Sequence, residues 1–427
     1  MPPRNLKVLI CGGGIAGLTL AVLLERAGID YEVFERARQV RPLGSALGIG
    51  PNVMPMIEQL GLLDQFLTIS KANDFVSNFN EDLELTSRYA YTELPERNGY
   101  ANYVVPRPKL YDLLYSQIPS SKVHLGKRFV SSEQTTGSNN NSEDEQRHGV
   151  TVTFADSTTA YGDILVGADG TYSGVRQNLY EQLSQQGKLT PSDMEELPCS
   201  SICLVGQTGP LSTEKFPHLR EKYCRFENVS GNAISWMVIE HLYLETNRTT
   251  ILENTEWGTA STDTMIEAVR QFPIPSGSGS NGSPLTLADL IDETPRELIT
   301  QVALEGKMYP SAAQGANTAI QDAIVLCNYL HNMPDASPES ITKAFEGYHQ
   351  EREPYARQTY ETSDRLRQLF RKRPINAVIR FLVKYIPQAV WNRVFDSIYG
   401  NRPQVAFLPR VPDRGLIKAF LQKSLDL

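Results

Sequence analysis

The chain has 427 residues, more than one compact domain usually holds, and a formal net charge of −8. Hydrophobic residues make up 41% and charged residues 21% of it, as is typical of a globular protein with a sizeable core. The acidic balance argues against a general nucleic-acid-binding protein, which needs a basic face. No apolar run reaches the ~18 residues of a membrane span, and glycines break the N-terminal apolar run, so we expect no signal peptide. We therefore expect a soluble cytoplasmic protein.

The five cysteines are scattered along the chain. Cys199 and Cys203 are four positions apart, but no second pair or nearby histidine completes a zinc-binding set. We therefore expect buried or free thiols in a reducing compartment and no metal site.

The first elements form a β-α-β unit of the kind that binds dinucleotides. LKVLIC (6–11) is a short apolar run typical of a buried parallel strand. IAGLTLAVLLERAG (15–28) has helical spacing and ends at a glycine suited to a helix C-terminus, and YEVFER (31–36) is a second strand.

Between the first strand and the helix lies CGGGIAGL, which contains Gly12-x-Gly14-x-x-Gly17. In such a loop the first glycine permits a tight turn, the second lets the backbone approach a pyrophosphate, and the third lets helix and strand pack closely. Glu35 ends the next strand, where an acid can bind a ribose hydroxyl. The loop alone does not distinguish FAD from NAD.

The remaining elements alternate between helices and strands. Helices are predicted at 52–66, 109–118 and 317–331, and mostly helical structure from about 340 onward. Strands are predicted at 123–130, 149–156 and 163–170, an antiparallel sheet within 199–252, a polar hairpin excursion at 131–148 and a flexible connector at 273–284.

Three further motifs follow in a fixed order. PRPKLYDLL puts Arg107 before a helix, DILVGADGTYSGVR puts Asp169 after a strand with Arg176 beyond it, and PSAAQGANTAIQDA opens a helix with a small-residue turn. In this combination the sequence resembles the group A FAD-dependent monooxygenases of the p-hydroxybenzoate hydroxylase type. Within that family it is similar to the fungal secondary-metabolite subgroup of the paxilline-epoxidase kind, to which GSALGIGPNV and NRPQVAFLPRVPDRG also correspond.

The resemblance implies an α/β fold: a Rossmann-like FAD-binding domain (β-α-β, GR2-type) with an inserted antiparallel-sheet substrate domain and a helical C-terminus. We assign residues 1–70, 101–180 and 296–350 to the FAD-binding domain. The substrate-binding sheet domain takes 71–100 and 181–295, and the C-terminal helical region takes 351–427.

The resemblance also implies roles for single residues. Gly12, Gly14 and Gly17 would form the cofactor-binding loop, with Gly14 against the pyrophosphate. Glu35 would bind the adenosine ribose of FAD, and Gly48, the last glycine of its turn, would lie against the cofactor.

Further residues would meet the rest of the cofactor. Arg107 would reach the phosphate and ribityl region, and Asp169 would support FAD and NADPH docking with Arg176 nearby. Gly315 and Ala316 would lie under the isoalloxazine ring, where a helix N-terminus stabilises the anionic reduced flavin. The plain alternatives are a surface ion pair for Arg107 and a turn role for Asp169.

The implied activity is that of an FAD-dependent monooxygenase. It would use NADPH as co-substrate and O2 to hydroxylate or epoxidise a lipophilic aromatic or prenylated intermediate of secondary metabolism, through a flavin C4a-hydroperoxide. No protein catalytic residue is predicted, because the flavin carries the reaction. Candidate substrate-lining residues are Tyr223, Phe226, Trp236 and Met237, for which core packing is an equally good explanation.

One part of the family pattern is missing. The family has a strand and then Gly-Asp-x-x-His before Lys-Met-x-Pro, and its aspartate binds the ribityl chain. Here the corresponding positions are Val302 and Ala303, and ETPRELITQVALE resembles the helix that precedes that strand. A deletion that ends just before Lys307 is one explanation, and a variant that uses Glu305 or another acid is the other. The alternative functions are an inactive relic of the family and an NAD-dependent dehydrogenase.

The segment RLRQLFRKRPINAVIRFLVKYIP (365–387) interleaves basic and apolar residues. A helix packed on the flavin domain explains it simply, and peripheral contact with a membrane surface is the alternative.

Overall fold

The computed structural model describes the chain from residue 6 to residue 425 with gaps. The described residues are 6–39, 46–79, 82–135, 148–190, 199–212, 214, 216, 233–241, 259–278, 284–305, 314–369, 382–383, 385–420 and 422–425.

The strands, in chain order, are β1 (Lys7–Cys11), β2 (Asp30–Glu35), β3 (Ala46–Ile49), β4 (Lys71–Ala72), β5 (Phe75–Phe79), β6 (Leu85–Ala90), β7 (Tyr103–Pro106), β8 (Val123–Leu125), β9 (Phe129–Thr135), β10 (Gly149–Phe154), β11 (Thr159–Gly162), β12 (Ile164–Gly167), β13 (Cys199–Gln207), β14 (Ser235–His241), β15 (Pro273–Ser278), β16 (Pro284–Thr286) and β17 (Thr300–Glu305).

The α-helices are α1 (Ile15–Ala27), α2 (Met54–Gln59), α3 (Leu63–Ile69), α4 (Leu94–Asn98), α5 (Arg107–Tyr115), α6 (Gly174–Gln185), α7 (Thr259–Val269), α8 (Leu287–Ile291), α9 (Gly315–His331), α10 (Pro338–Leu369) and α11 (Gln388–Tyr399). Short 3-10 turns lie at Ser120–Lys122, Arg296–Leu298 and Lys423–Leu425.

A four-stranded parallel sheet carries the β-α-β unit, with strand order β12-β1-β2-β8. Both faces of β1 are covered, which explains its uninterrupted apolar sequence. Helix α1 ends at Gly28, whose φ of +70° is the left-handed conformation expected of a helix-terminating glycine. The main core joins this sheet to α1, α5 and α9, and its fully buried side chains include Val8, Ile10, Leu18, Leu23, Tyr31, Val33, Ile324 and Leu330.

A second, antiparallel sheet has the strand order β14-β13-β17. Strands β13 and β14 lie in the region assigned to the substrate domain, whereas β17 lies in the segment 296–350 that was assigned to the FAD-binding domain. The antiparallel pairing predicted within 199–252 is confirmed by β13 and β14. Smaller sheets are β11-β10-β9, β3-β7-β4, β5-β6 and β15-β16. The fold is therefore the predicted α/β architecture, with a parallel sheet that carries the β-α-β unit and a separate antiparallel sheet.

Two predicted elements are each split in two by a glycine. The helix predicted at 52–66 is α2 and α3, because Gly61 between them has a φ of +71° that a continuing helix cannot contain. The strand predicted at 123–130 is β8 and β9, separated by Gly126 with a φ of +75°. β8 joins the parallel sheet, whereas β9 joins an antiparallel one.

Two further predictions need correction. The segment 293–305, predicted to resemble a helix, is a 3-10 turn followed by β17. The two ends of the predicted flexible connector, 273–278 and 284, pair as the β15-β16 ribbon. The hairpin predicted around 131–148 is confirmed by the antiparallel pairing of β9 with β10. Residues 131–135 belong to β9, and 136–147 lie outside the described residues.

The C-terminal region is helical only in part. Among the described residues from 400 onward, the only regular element is the 3-10 turn at Lys423–Leu425. Arg402, whose side chain is 3% exposed, holds this segment by donating to the carbonyls of Tyr399 and Ile417. The mixed basic and apolar segment lies largely outside the described residues, and none of the described helices is long and apolar enough to cross a membrane.

Candidate nucleotide and flavin site

The glycine-rich loop follows β1 at the carboxyl edge of the parallel sheet, and its three motif glycines have different surroundings. Gly12 has a φ of +110°, and an added Cβ would lie 2.2 Å from the Ala168 carbonyl oxygen. At Gly17 an added Cβ would lie 1.9 Å from the Gly12 carbonyl oxygen. Gly14 has no atom within 4 Å of that position. Packing therefore requires glycine at the first and last positions, and the middle one opens onto free space.

Helix α1 begins directly after this open position. Its N-cap is Gly14, and no side chain caps the first turn. The first amides of a helix lack partners within the helix, and the helix dipole adds partial positive charge there. The loop and the helix together offer backbone donors to a phosphate group.

Glu35 ends β2 beside the loop, because β1 and β2 pair in register at Cys11 and Phe34. Its carboxylate accepts hydrogen bonds from the backbone amides of Gly13 and Ala37, both at 2.8 Å. The carboxylate is thereby fixed at the rim of the loop, at the position predicted to meet a ribose.

Arg107 begins α5, directly after β7. Burial lowers the pKa of its guanidinium, and the neighbouring Tyr111 and Glu35 act in the opposite direction. Burial, and next the charge of Glu35, raise the pKa of Tyr111 to about 12. Arg107 and Glu35 are far apart in sequence, but in the fold they are close enough for their charges to interact. Arg107 is half-buried and not fully exposed.

Asp169 follows β12 on the other side of β1. The turn is tied to β1 through the Ala168 amide, which donates to the Cys11 carbonyl at 2.7 Å. Asp169 Oδ2 accepts from the Val175 amide at 3.3 Å. Its Oδ1 is buried and has no hydrogen-bond partner among the described residues. A turn role accounts for one carboxylate oxygen and leaves the other available to a ligand.

Arg176 does not join Asp169 in this arrangement. Its guanidinium donates to the Thr171 carbonyl at 2.7 Å, and its amide donates to Ser173 Oγ at 3.0 Å, which caps α6. Arg176 therefore stabilises the turn that leads into α6.

The first turn of α9 forms another part of the site. Gly315 is exposed with open space where a Cβ would be, and Ala316 is half-buried. Asn317, 1% exposed, donates to the Gly48 carbonyl at 2.9 Å and accepts from the Gly50 amide at 3.1 Å. Asn317 was not predicted as a site residue, although the QGAN motif contains it. It fixes β3, and with it Gly48, against the start of α9.

These residues fit the phosphate and sugar end of a dinucleotide. The space above Gly14, the uncapped start of α1 and the unpaired Asp169 oxygen all lie at the carboxyl edge of the parallel sheet, where such folds bind ligands.

The positions that correspond to the missing family motif lie elsewhere. Val302 and Ala303 are in the middle of β17, where they pair with Cys203 and Ile202 of the antiparallel sheet. Among the described residues, β12 pairs with β1 alone and no strand follows it outward in the parallel sheet. Lys307, Met308, Pro310 and Ala313 lie outside the described residues.

The predicted substrate-lining residues separate into different environments. Trp236 is 6% exposed, belongs to the second core and donates from Nε1 to Thr294 Oγ1 at 3.0 Å. Core packing therefore explains it. Met237 points the other way and is 43% exposed. Tyr223 and Phe226 lie outside the described residues.

An open cleft of about 550 Å³ lies between the parallel sheet and β10-β11. Its lining includes Lys7, Glu32, His124 and Lys127. Lys7 and His124 pair with Glu32, and Lys127 pairs with Asp156. The cleft extends along β2 from Glu32 to Phe34, the residue that precedes Glu35.

The described residues include no group of three or more His, Cys, Asp or Glu side chains that could hold a metal ion. Cys11, Cys203 and Cys327 are buried thiols, and burial raises the pKa of Cys11 to about 12. Cys11 therefore stays protonated beside the glycine loop at neutral pH.

Comparison with a protein-family model and with solved structures indicates the class of protein to which this chain is similar. Residues 5–204 match the FAD binding domain family. The fold is shared with HpxO of Klebsiella pneumoniae, whose structure contains FAD and uric acid: TM-score 0.66, 18% identity, covering 93% of this chain and 96% of that one. It is also shared with 2,6-dihydroxypyridine-3-hydroxylase of Arthrobacter nicotinovorans: TM-score 0.55, 16% identity, covering 87% and 95%.

Proteins with similar sequences indicate a narrower group of enzymes within this class. The chain is 27% identical to the FAD-dependent monooxygenase cle3 of Aspergillus versicolor, covering 90% of this chain and 80% of that protein. It is also 27% identical to the FAD-dependent monooxygenase andE of Emericella variicolor, covering 96% and 89%. The chain is therefore similar to flavin-dependent monooxygenases, including these fungal enzymes, and residues 5–204 carry the match to the FAD binding domain family.

Proposed function

We propose that this chain is an FAD-dependent monooxygenase that uses NADPH and O2 to add one oxygen atom to an apolar aromatic or prenylated intermediate of secondary metabolism. The observation that carries the proposal is the carboxyl edge of the parallel sheet. There Gly14 leaves open space, the start of α1 is uncapped, and Asp169 keeps one buried oxygen without a partner among the described residues. The fungal relatives support the monooxygenase class.

The residues that would hold FAD follow from this geometry and from the family resemblance. The loop from Gly12 to Gly14 and the start of α1 would bind the pyrophosphate, and Glu35 would accept from the adenosine ribose. Arg107 would neutralise phosphate charge. Asp169 would use its free oxygen for the cofactor or for NADPH.

At the ring end, Gly315 and Ala316 would lie against the flavin because they present little side-chain bulk. The free amides of the first turn of α9 would stabilise negative charge at its pyrimidine edge. When bound, FAD would supply the redox chemistry with NADPH and O2. The protein would hold the substrate beside the ring. No side chain in the described site is required as a nucleophile, and hydroxylation and epoxidation need the same placement.

The first experiment is purification of the full chain with FAD, followed by visible absorption, NADPH consumption and O2 uptake. Glu35→Ala is expected to weaken FAD binding, because it removes the carboxylate at the rim of the loop. Glu32→Ala is a matched control, since Glu32 lies three residues earlier on β2 and pairs with Lys7 on the opposite face. A wild-type chain that binds no added FAD would contradict the proposal. NADPH consumption that depends on a substrate but takes up no O2 would favour the NAD-dependent dehydrogenase alternative.

A second candidate is a relic in which the flavin end of the site is weakened. The observation that favours it is β17, which pairs within the antiparallel sheet at the positions where the family motif was expected. Only residues 306–313, with the sequence GKMYPSAA, separate β17 from Gln314 at the start of α9. They contain no apolar run typical of a buried parallel strand. The prediction of a deletion ahead of Lys307 therefore stays a prediction, with this observation in its support.

The lack of acidic residues just before and at the start of α9 supports the same candidate. The sequence has no acidic residue between Glu305 and Asp322, so no aspartate of this segment can meet the ribityl chain. Loss of one charge-assisted contact would cost about 1.5–3 kcal/mol, or about one to two decades of affinity.

Titration of the chain with FAD, ADP and FMN separates the two candidates. A functional flavin site is expected to bind FAD at least about a hundredfold more tightly than ADP, which corresponds to about 2.7 kcal/mol from the flavin half. Near-equal affinities for FAD and ADP, with no FMN binding, would instead identify the relic. Sequencing of the transcript across the codons for Glu305 to Lys307 tests the deletion itself.

A further inference from the structure

Helix α9 carries a row of buried amide side chains that bind the backbone of other segments. Asn317, Gln321 and Asn328 are 1%, 5% and 0% exposed, and their spacing places them on one face of the helix. Asn317 holds β3, as described above. Asn328 Nδ2 donates to the Gln404 carbonyl at 2.9 Å. The row therefore joins α9 both to β3 and to the C-terminal segment that starts at residue 400.

Gln321 uses both ends of its amide. Its Nε2 donates to the Asn401 carbonyl at 2.7 Å, and its Oε1 accepts from Arg352 Nη2 at 3.2 Å. Arg352 lies on α10, is 3% exposed and donates from Nε to Asp322 Oδ1 at 2.7 Å. Because the amide is buried, loss of either contact would leave a buried polar group without its partner. Gln321 therefore fixes the second turn of α9 to α10 and to the start of the C-terminal segment.

The neighbours of these contacts also hold the end of β3. Asn317, one turn before Gln321, accepts from the Gly50 amide at 3.1 Å. Tyr399, two residues before Asn401, packs its ring on Gly50, where an added Cβ would lie 2.4 Å from Tyr399 Cε1. Helix α9 thus reaches Gly50 through Asn317, and the chain that leads into the C-terminal segment reaches it through Tyr399. The hydrogen bond between Gln321 and Asn401 closes this ring of contacts.

We propose that Gln321 is a positioning residue for the flavin site: by holding Asn401, it keeps β3 fixed against the first turn of α9. These two elements carry Gly48 and Gly315, which would meet the cofactor. The role rests on the proposed function in that respect. Gln321 would act through Asn401 and not by contact with FAD.

Gln321→Met tests this role, because methionine has nearly the length and volume of glutamine and lacks both hydrogen-bonding ends. Gln59→Met is the matched control. Gln59 donates to the Val405 carbonyl at 3.0 Å and accepts from the Val405 amide at 2.8 Å, but it does so from α2 and is no member of the ring. Both variants lose glutamine hydrogen bonds to the same C-terminal segment, so a general loss of stability would appear in both.

Gln321→Glu separates the two contacts of the amide. Its ionised carboxylate still accepts from Arg352 but cannot donate to the Asn401 carbonyl. It is expected to change the two readouts below in the same direction as Gln321→Met. Wild-type behaviour of Gln321→Glu would overturn the role of the contact with Asn401.

The first readout needs no cofactor. Amide hydrogen exchange of a peptide that covers residues 46–53 reports the opening of β3 and of the Gly50 amide. Gln321→Met is expected to raise the exchange rate about threefold to tenfold, the equivalent of one hydrogen bond, and Gln59→Met to leave it unchanged. An unchanged rate in Gln321→Met, or an equal rise in both variants, would overturn the proposal.

The second readout is the flavin. Gln321→Met is expected to weaken FAD binding about threefold to tenfold and to shift the visible flavin bands, with Gln59→Met matching the wild type. Faster exchange with wild-type FAD affinity and spectrum would overturn the role at the flavin. If the wild-type chain binds no FAD, the proposed function fails, and the exchange experiment alone decides whether Gln321 holds β3.

Discussion

Gly14→Ala separates ligand binding from folding more cleanly than any other substitution in the glycine loop. Gly14 has φ −77° and ψ −172°, extended backbone that alanine adopts without strain, and no atom lies within 4 Å of the new methyl. Loss of unfolded-state freedom would stabilise the variant by about 0.4–1 kcal/mol. Alanine is a poorer N-cap than glycine by about 0.5–1 kcal/mol. The two effects oppose each other, so we expect a net change within about 0.5 kcal/mol.

The same methyl would enter the space that the pyrophosphate is proposed to occupy. Overpacking at a close contact costs about 1–3 kcal/mol, which corresponds to a loss of FAD affinity of about fivefold to a hundredfold. The expected result is therefore a variant with wild-type stability and weak FAD binding.

Urea unfolding gives the stability, and quenching of flavin fluorescence during titration gives the FAD dissociation constant. Gly17→Ala is the contrasting variant, because its Cβ would lie 1.9 Å from the Gly12 carbonyl oxygen and must displace backbone. It is expected to unfold at lower urea concentration. A Gly14→Ala chain that folds normally and binds FAD as tightly as the wild type would refute the placement of the pyrophosphate at Gly14.

Two other predictions concern stability. Trp236→Ala should lower the free energy of unfolding by about 3–5 kcal/mol in urea denaturation, because it empties a buried site. Met237→Ala on the exposed face should cost less than about 0.5 kcal/mol, and equal losses would contradict the core assignment. The hydrogen bonds from Arg414, the largest cause, hold the pKa of Glu58 below its ordinary value of 4.5. Glu58 therefore contributes stability that is present above pH 4.5 and is lost as pH falls through the lowered value. The difference in melting temperature between wild type and Glu58→Gln should be largest near neutral pH and shrink in acid, and a constant difference would contradict this coupling.

The nucleotide end of the site was predictable because its determinants are local. Gly12, Gly17 and Glu35 lie within one β-α-β unit, and the loop geometry follows from glycine spacing between a strand and a helix. Asp169 was predictable from the motif that follows a strand. Its unpaired oxygen was not, because hydrogen bonding depends on the folded neighbourhood.

The secondary-structure predictions were wrong where contacts with residues far away in the sequence determine the local structure. The apolar residues from Ile299 to Leu304 suit a helix or a strand, and pairing with β13, about a hundred positions earlier, makes them β17. At Gly61 the apolar pattern continues across the break, so spacing alone did not indicate that the backbone adopts a positive φ there. Nothing near Tyr399 in sequence indicates that its ring lies against Gly50.

The contacts near the start of α9 and around β3 can form only late in synthesis, because they join residues that are far apart in the sequence. Asn317 and Gly50 are 267 positions apart, and Tyr399 and Asn102 are 297 positions apart. At ribosomal rates of about 5–20 residues per second, α11 is made on the order of tens of seconds after β3. The glycine loop and its strands are complete long before that, so a nascent chain can present a dinucleotide site without its closing contacts. Stable capture of flavin is therefore expected only after the last residues leave the ribosome, and C-terminal truncations should yield apoprotein even where the N-terminal domain folds.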